Sequence, residues 1–110
     1  MKQIALVILD NANANLARCL AKTSKDFEIH GLVSRVTEPV HTSFSDTVDH
    51  LQSLFSAQIP IIGFCSSGIL IRALAPLLCD KNKEPPVIAI AEKATSVVPL
   101  LGGHHGANKL

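Results

Sequence analysis

The chain has no tryptophan and no tyrosine, and only four of its 110 residues are phenylalanine. Aromatic side chains are the usual platforms on which nucleic-acid bases stack, so their scarcity argues against a nucleic-acid partner. The net charge of +1 and the absence of a basic run point the same way, because phosphate backbones are bound by clustered Lys and Arg. We therefore expect no nucleic-acid partner.

Cysteine is nearly as scarce. The three cysteines, Cys19, Cys65 and Cys79, are odd in number and form no C-x-x-C motif. Such a set is typical of free thiols in the reducing cytoplasm. Residues 4–9 are apolar, but no small-residue cleavage site follows them, so a strand is predicted there and not a signal peptide. We expect a cytoplasmic protein.

Long uninterrupted apolar segments are missing as well. Residues 61–78 come closest to a membrane span. They are interrupted by two serines, a glycine, an arginine and a proline, namely Ser66, Ser67, Gly68, Arg72 and Pro76. A strand, a turn and a buried helix fit this segment better, and we expect no membrane partner.

The chain does contain enough apolar side chains for one core. Hydrophobic residues make up 47% and charged residues 17% of the sequence, which predicts a single α/β domain over residues 1–110. A domain of this size buries roughly 65% of the surface of its unfolded chain. Its stability is therefore expected to depend on a neighbouring domain or on a second copy in a homo-oligomer. Residues 106–110 resemble the start of another helix, and we expect a piece of a longer protein.

The spacing of apolar residues predicts alternating strands and helices. Helical periodicity predicts three helices: one after Asp10, a second that begins near 43–46, and a third over 68–78. Residues 37–45 are predicted to be a loop. A continuous apolar run predicts a strand at 4–9. Further strands are predicted at 27–33, 61–64, 87–91 and 96–101, the last two joined by a tight turn around Lys93. This order predicts an open, mainly parallel α/β sheet of four to five strands with helices on both faces, a Rossmann-like three-layer fold.

The first constellation that points to chemistry is the turn after the strand at 61–64. Ser66, Ser67 and Gly68 place backbone N–H groups and the positive end of a helix dipole at the carboxyl edge of the sheet, where anions bind. Arg72, one turn later, adds a cation. The glycine spacing is that of a P-loop, but two apolar residues replace its Lys-Ser/Thr pair, which argues against a nucleoside triphosphate.

Each member of this turn also has a structural interpretation. Cys65 is either a nucleophile on a strand-to-helix turn or, as we favour, a buried and inert thiol. Ser66 and Ser67 either cap the helix or contact a ligand. Arg72 pairs either with an internal carboxylate or with an external anion.

The second constellation is a glycine-rich turn after the last predicted strand. Gly102, Gly103 and Gly106 permit the backbone geometry and close approach that a binding loop needs. Between them, His104 and His105 offer groups that act as acid, base or metal ligand near neutral pH. Adjacent histidines project in different directions, so no shared metal is expected, and a polar surface loop is the alternative. Both constellations follow strand ends, and we predict that they meet at one edge of the sheet.

Three further histidines are scattered along the chain. We interpret His30, His41 and His50 as isolated core or surface residues without a functional role, and Asp10 as a helix cap.

Together the two constellations resemble the amino-terminal domain of the cobalamin-biosynthesis G family. Its pattern is roughly G-I-x-x-R-x-[LI]-A-P-x-L, then D-K and P-x-V, and finally [SG]-G-H-x-G-(G)-A-N-x-L. Residues 68–78, 80–81, 85–87 and 102–110 of this chain match these elements in order and spacing. The resemblance is densest from Ile61 to Leu110.

The resemblance implies a role in the corrin-ring stage of cobalamin biosynthesis. The cobalt-precorrin-5A hydrolases of this family open the δ-lactone of a corrinoid precursor with water and release acetaldehyde. No redox or nucleotide cofactor is implied, and the cobalt arrives inside the substrate. The implied catalytic residues are His104, at the shared Gly-His position, and His105 beside it. The implied substrate-binding residues are Ser66, Ser67, Gly68, Arg72, Gly102, Gly103, Gly106 and Asn108.

The loop also departs from the family pattern. It is one glycine shorter than the longer version, and Gly102 stands where serine is frequent. This variant is similar to proteins in which the domain is fused to a precorrin-3B C17-methyltransferase. A non-catalytic corrinoid-binding or docking domain is therefore the alternative function. The implied partners are a corrinoid precursor and either further downstream domains or such a methyltransferase.

Overall fold

The computed structural model describes residues 3–77, 85–91 and 96–101, which are arranged around one sheet. Its strands are β1 (Ile4–Ile8), β2 (Phe27–Leu32), β3 (Thr42–Phe44), β4 (Ile61–Phe64), β5 (Val87–Ala91) and β6 (Ser96–Leu101). The helices are α1 (Ala14–Ala21), α2 (Thr47–Ser56) and α3 (Ser67–Leu74), with 3₁₀ turns at Asn11–Asn13 and Ala75–Leu77.

The sheet has the spatial order β3-β2-β1-β4-β5-β6. Strands β1 to β5 are parallel, and β6 is antiparallel to β5. The chain moves outward from β1 through β2 to β3 and then crosses to the other side of β1 to add β4. The prediction of a mainly parallel α/β sheet is confirmed, with six strands instead of four to five.

The additional strand is β3, which lies within the segment predicted to be a loop. It pairs in parallel with β2, from His30 opposite Thr42 to Leu32 opposite Phe44, and forms one edge of the sheet. Its sequence, Thr-Ser-Phe, contains no apolar run. It is therefore recognisable only from its pairing with β2.

Alternating strand residues supply two cores, one on each face of the sheet. Val7 and Ile61 belong to the core that includes residues of α2 and α3, whereas Leu6 and Ile62 belong to the core that includes residues of α1. This arrangement confirms the predicted helices on both faces.

Residues 61–77, nearly all of the segment that was compared with a membrane span, fold as β4, a turn, α3 and a 3₁₀ turn. The strand, turn and helix are as predicted, but the helix is not buried on all sides, because Ile69 and Ile71 are 37% and 53% exposed. The α-helix ends at Leu74, and Pro76 lies in the 3₁₀ turn that follows, because proline has no N–H to continue the helical pattern. Within residues 3–77, 85–91 and 96–101, no helix combines the length and apolar character needed to cross a membrane.

Candidate functional site

The carboxyl ends of β1 and β4 form the topological switch point of the sheet. Ile8 and Phe64 pair in register, so the segments after them leave the sheet side by side. In open α/β sheets, ligands bind in the crevice at this position. On the β1 side, the Asp10 carboxylate accepts a hydrogen bond from the backbone N–H of Ala12 at 3.0 Å, which confirms the predicted cap.

On the β4 side, α3 begins without a side-chain cap. Ser66 is the N-cap residue, yet its hydroxyl accepts no hydrogen bond from the helix. In α2, by contrast, the Asp46 carboxylate accepts from the N–H of Asp49 at 3.0 Å. Ser66 therefore does not cap α3 as one interpretation expected, and the alternative, contact with a ligand, stays a prediction for Ser66 and Ser67.

Gly68 and Arg72 share the open side of α3. A Cβ atom added to Gly68 would have no heavy atom within 4 Å, so the space in front of this first-turn residue is empty of protein. Arg72 lies four residues later on the same helix face and is exposed. Helical side chains lean toward the amino terminus, which directs Arg72 toward Gly68. In the part of the chain that the structure describes, Arg72 forms no ion pair with an internal carboxylate.

Gly63 differs from Gly68 in what surrounds it. A Cβ atom on Gly63 would lie 2.9 Å from Cδ1 of Leu70, a fully buried side chain of α3. Gly63 therefore allows α3 to pack closely on β4. The two glycines with P-loop-like spacing therefore differ in role: Gly63 allows close helix packing, whereas Gly68 faces an open surface.

Cys65 stands between these glycines. Burial raises the pKa of its thiol to about 11, so the group is almost entirely protonated near neutral pH. A thiol is a weak nucleophile compared with its thiolate. This supports the interpretation of Cys65 as an inert, partly buried thiol.

The strand that precedes the second constellation in the sequence, β6, ends at the other edge of the sheet. Leu101 pairs with Val87, the first residue of β5, and Ser96 pairs with Ala91, the last. The end of β6 therefore lies at the amino edge of the parallel strands, opposite Cys65. We predicted that the two turns meet at one edge of the sheet, but β6 ends at the edge opposite the end of β4, because β6 is antiparallel to the other strands. The turn at residues 102–106 itself lies outside the described residues.

The residues of the glycine-rich turn, like Cys79, lie outside the described residues. The functions assigned to residues of this turn therefore stay predictions; the residues are Gly102, Gly103, His104, His105, Gly106 and Asn108.

Two histidines that the sequence analysis interpreted as isolated are in contact. Nδ1 of His30 lies 2.7 Å from Nε2 of His50, and Phe44 stacks on the His50 ring with centroids 4.4 Å apart. His30 is only 4% exposed, and its Nε2 lies 3.6 Å from a carboxylate oxygen of Glu28, too far for a hydrogen bond. The interpretation of His30 and His50 as isolated is therefore wrong.

The surroundings of the two rings lower the pKa of both. Burial and then the neighbouring His50 lower the pKa of His30, against the opposing influence of Glu28. Burial also lowers the pKa of His50. Because side chains alternate between the two faces along β2, the sequence alone places Glu28 and His30 on the same face of the sheet. No sequence pattern predicts that His50 of α2 contacts His30. In the described ranges, no group of three or more His, Cys, Asp or Glu side chains is arranged to hold a metal ion.

Comparisons with known proteins identify the relatives of this chain. Residues 49–110, more than half of the sequence, match the family described as Cobalamin synthesis G N-terminal. A cobalt-precorrin-5A hydrolase from Salmonella typhimurium is 32% identical over 117 residues, which cover 99% of this chain and 31% of that protein. A cobalt-precorrin-5A hydrolase from Priestia megaterium is 41% identical over 61 residues, covering 54% of this chain and 16% of that protein.

A solved structure has the same fold. The cobalamin biosynthesis protein G homologue from Sulfolobus solfataricus aligns with a TM-score of 0.65 at 20% identity, over 97% of this chain and 31% of that one. The present chain thus spans less than a third of the length of these relatives. The resemblance found in the sequence motifs is confirmed, and the chain belongs to the cobalamin synthesis G N-terminal family.

Proposed function

We propose that this chain is the amino-terminal part of a cobalt-precorrin-5A hydrolase and acts in cobalamin biosynthesis. The observation that carries the proposal is the alignment of 99% of the chain, at 32% identity, with the Salmonella typhimurium hydrolase. The reaction adds water to the δ-lactone of a corrinoid and releases acetaldehyde. Because the chain spans 31% of that relative, we assign the activity to the protein that carries the chain.

Within this chain, we assign binding of the substrate's carboxylates to the amino end of α3. A corrinoid precursor carries many acetate and propionate groups. The support is the uncapped first turn of the helix, the open space at Gly68 and the unpaired Arg72 on the same face among the described residues. Backbone N–H groups at a helix amino terminus and an arginine are a suitable combination for a carboxylate.

Exposed apolar side chains border the same edge of the sheet. Val33, Val48 and Ile69 are 59%, 49% and 37% exposed. Val33 follows the end of β2, and the other two lie in the first turns of α2 and α3. An apolar rim beside an anion-binding turn suits a macrocycle with an apolar ring and a periphery of carboxylates, which supports the proposed substrate class.

The general acid or base in this proposal is His104, with His105 beside it. A positioned acid or base contributes typically about 10²- to 10⁴-fold to a rate. β6 ends at the amino edge of the sheet, whereas α3 begins at the carboxyl edge. We therefore assign carboxylate binding to α3 and acid–base chemistry to the glycine-rich turn independently of each other. We also propose a cytoplasmic location and no cofactor beyond the cobalt within the substrate.

Acetaldehyde release from cobalt-precorrin-5A by the protein that carries this chain tests the proposal. We expect one acetaldehyde for each lactone that is opened. Corrinoid binding without acetaldehyde release would contradict the hydrolase assignment and favour the alternative, a docking domain for a precorrin methyltransferase.

A further inference from the structure

A groove lies on the α1 face of the sheet, away from the carboxyl edge assigned to the corrinoid. It is open to solvent and has a volume of about 360 Å³, within the range of small-molecule sites. Its lining consists of Arg18, Ala21, Lys22, Ile29, Pro39, Val40 and His41. Four of these side chains are apolar, three are basic, and none is a carboxylate.

The basic side chains are not equivalent. Arg18 donates to a carboxylate oxygen of Glu38 at 2.7 Å, so its charge is largely matched within the protein. Lys22 is exposed and has no ion-pair partner among the described residues. Lys22 therefore contributes the unmatched positive charge of the groove.

His41 supplies a donor whose position is fixed by the backbone. The N–H of Ile29 donates to Nδ1 of His41 at 2.9 Å, and the N–H of His41 donates to the carbonyl of Ile29 at the same distance. Because Nδ1 acts as an acceptor, the proton of the neutral ring resides on Nε2. His41, which lines the groove, thus carries its hydrogen-bond donor on Nε2 of a ring that the backbone holds in place.

The groove also lies beside the negative end of α1, where hydrogen bonds occupy some of the terminal carbonyls. The carbonyl of Arg18 accepts from the N–H of Lys22 at 3.2 Å, and that of Leu20 accepts from both the N–H and the hydroxyl of Thr23 at 3.0 and 2.6 Å. These bonds satisfy two of the last helical carbonyls. The groove thus combines apolar walls with one unmatched ammonium group and one fixed donor.

We propose that this groove binds a small organic acid, with its carboxylate between Lys22 and His41 and its apolar body against Ile29, Pro39 and Val40. A monocarboxylate with a short aliphatic or aromatic body matches both the charge and the volume. This site is independent of the proposed hydrolase function.

The test is a ¹H–¹⁵N NMR titration of the protein that carries this chain with 3-phenylpropionate, using the uncharged 3-phenylpropionamide as the matched ligand. We expect the acid to shift the amide signals of residues 21–22 and 40–41, and to bind several-fold more tightly than the amide. Lys22→Gln should weaken binding of the acid by roughly threefold, the scale of an exposed ion pair. Lys25 is an exposed lysine outside the groove, and Lys25→Gln should leave the affinity unchanged.

Equal affinity for acid and amide, equal effects of the two lysine variants, or no shifts in the groove would each overturn the proposal. Ala21→Leu provides a charge-independent check, since its larger side chain narrows the groove and should weaken binding while Lys22 is retained. Unchanged binding in Ala21→Leu would also place the ligand elsewhere.

Discussion

Leu101, the last residue of β6, pairs with Val87, the first residue of β5. This pairing directs the chain back toward the amino edge of the parallel strands just before the glycine-rich turn begins. The amino end of α3 lies at the other edge, after Phe64 of β4. The two motifs that identify the family are therefore attached to opposite edges of one sheet, and their contributions to function are testable one at a time.

The two glycines around the β4–α3 turn should respond differently to alanine. Gly63→Ala forces a Cβ atom to within 2.9 Å of buried Leu70, and we expect a loss of about 1–3 kcal/mol in the free energy of unfolding. Gly68→Ala adds its Cβ to open space and should stabilise the chain by about 0.4–1 kcal/mol by reducing the entropy of the unfolded state. Urea denaturation of both variants measures the difference, and equal losses would contradict the packing described for α3.

The contact between His30 and His50 predicts acid sensitivity near neutral pH. Both folded-state pKa values lie below the ordinary 6.5, so the unfolded chain binds more protons than the folded chain as pH falls. The stability that depends on the neutral pair is therefore complete above about pH 6.5 and decreases as the pH falls below it toward the lowered pKa values.

Urea denaturation at several pH values between 7.5 and 5 measures this effect. His50→Gln removes one of the two titrating rings and should reduce the dependence on pH in this window. A free energy of unfolding that stays constant from pH 7.5 to 5, or that rises toward pH 5, would contradict the described environment of the pair.

The thiols should differ in reactivity. Cys19 is exposed, whereas burial raises the pKa of Cys65 to about 11. In a Cys79→Ser background, iodoacetamide at pH 8 should modify Cys19 much faster than Cys65. Mass spectrometry of the digested protein follows both sites. Faster modification of Cys65 would restore the interpretation of this residue as an activated nucleophile.

The two histidines of the glycine-rich turn should contribute unequally if the hydrolase proposal is correct. We predict that His104→Ala lowers acetaldehyde release from cobalt-precorrin-5A by roughly 10²- to 10⁴-fold, and that His105→Ala has a small effect. The reason is that only His104 occupies the position that the family pattern shares. Small and equal losses, measured with the complete protein, would leave the turn as a binding element without acid–base function.

Five of the six strands could be predicted from the sequence, because each is an apolar run or, in β2, an alternation of apolar and polar residues between turn residues. β3 could not, since Thr42–Phe44 is short and partly polar and its strand geometry depends on pairing with β2. The direction of β6 was implied by the tight turn predicted around Lys93, because a tight turn reverses the chain. The prediction that both turns lie at one edge of the sheet was based on the order of the strands and did not take this reversal into account.

The candidate site was predictable to a similar degree. The sequence indicated the β4–α3 turn, since a strand, small residues and a helix are consecutive there. It did not reveal that the first turn of α3 lacks a cap or that Gly68 faces open space, because both depend on three-dimensional surroundings. The contact of His30 with His50 was missed for the same reason, since packing of α2 on the sheet brings together residues distant in sequence.

The central claim is that the amino end of α3 binds the carboxylates of a corrinoid, and titration of the chain with cobyrinic acid tests it most directly. We predict that the chain binds this stable corrinoid polycarboxylate and that Gly68→Ala, which keeps the fold, weakens binding by roughly tenfold, because its Cβ occupies the approach to the helix N–H groups. Arg72→Gln should weaken binding by roughly threefold, and the exposed control Lys25→Gln should leave it unchanged. Unaltered affinity in both the Gly68 and the Arg72 variants would contradict the claim.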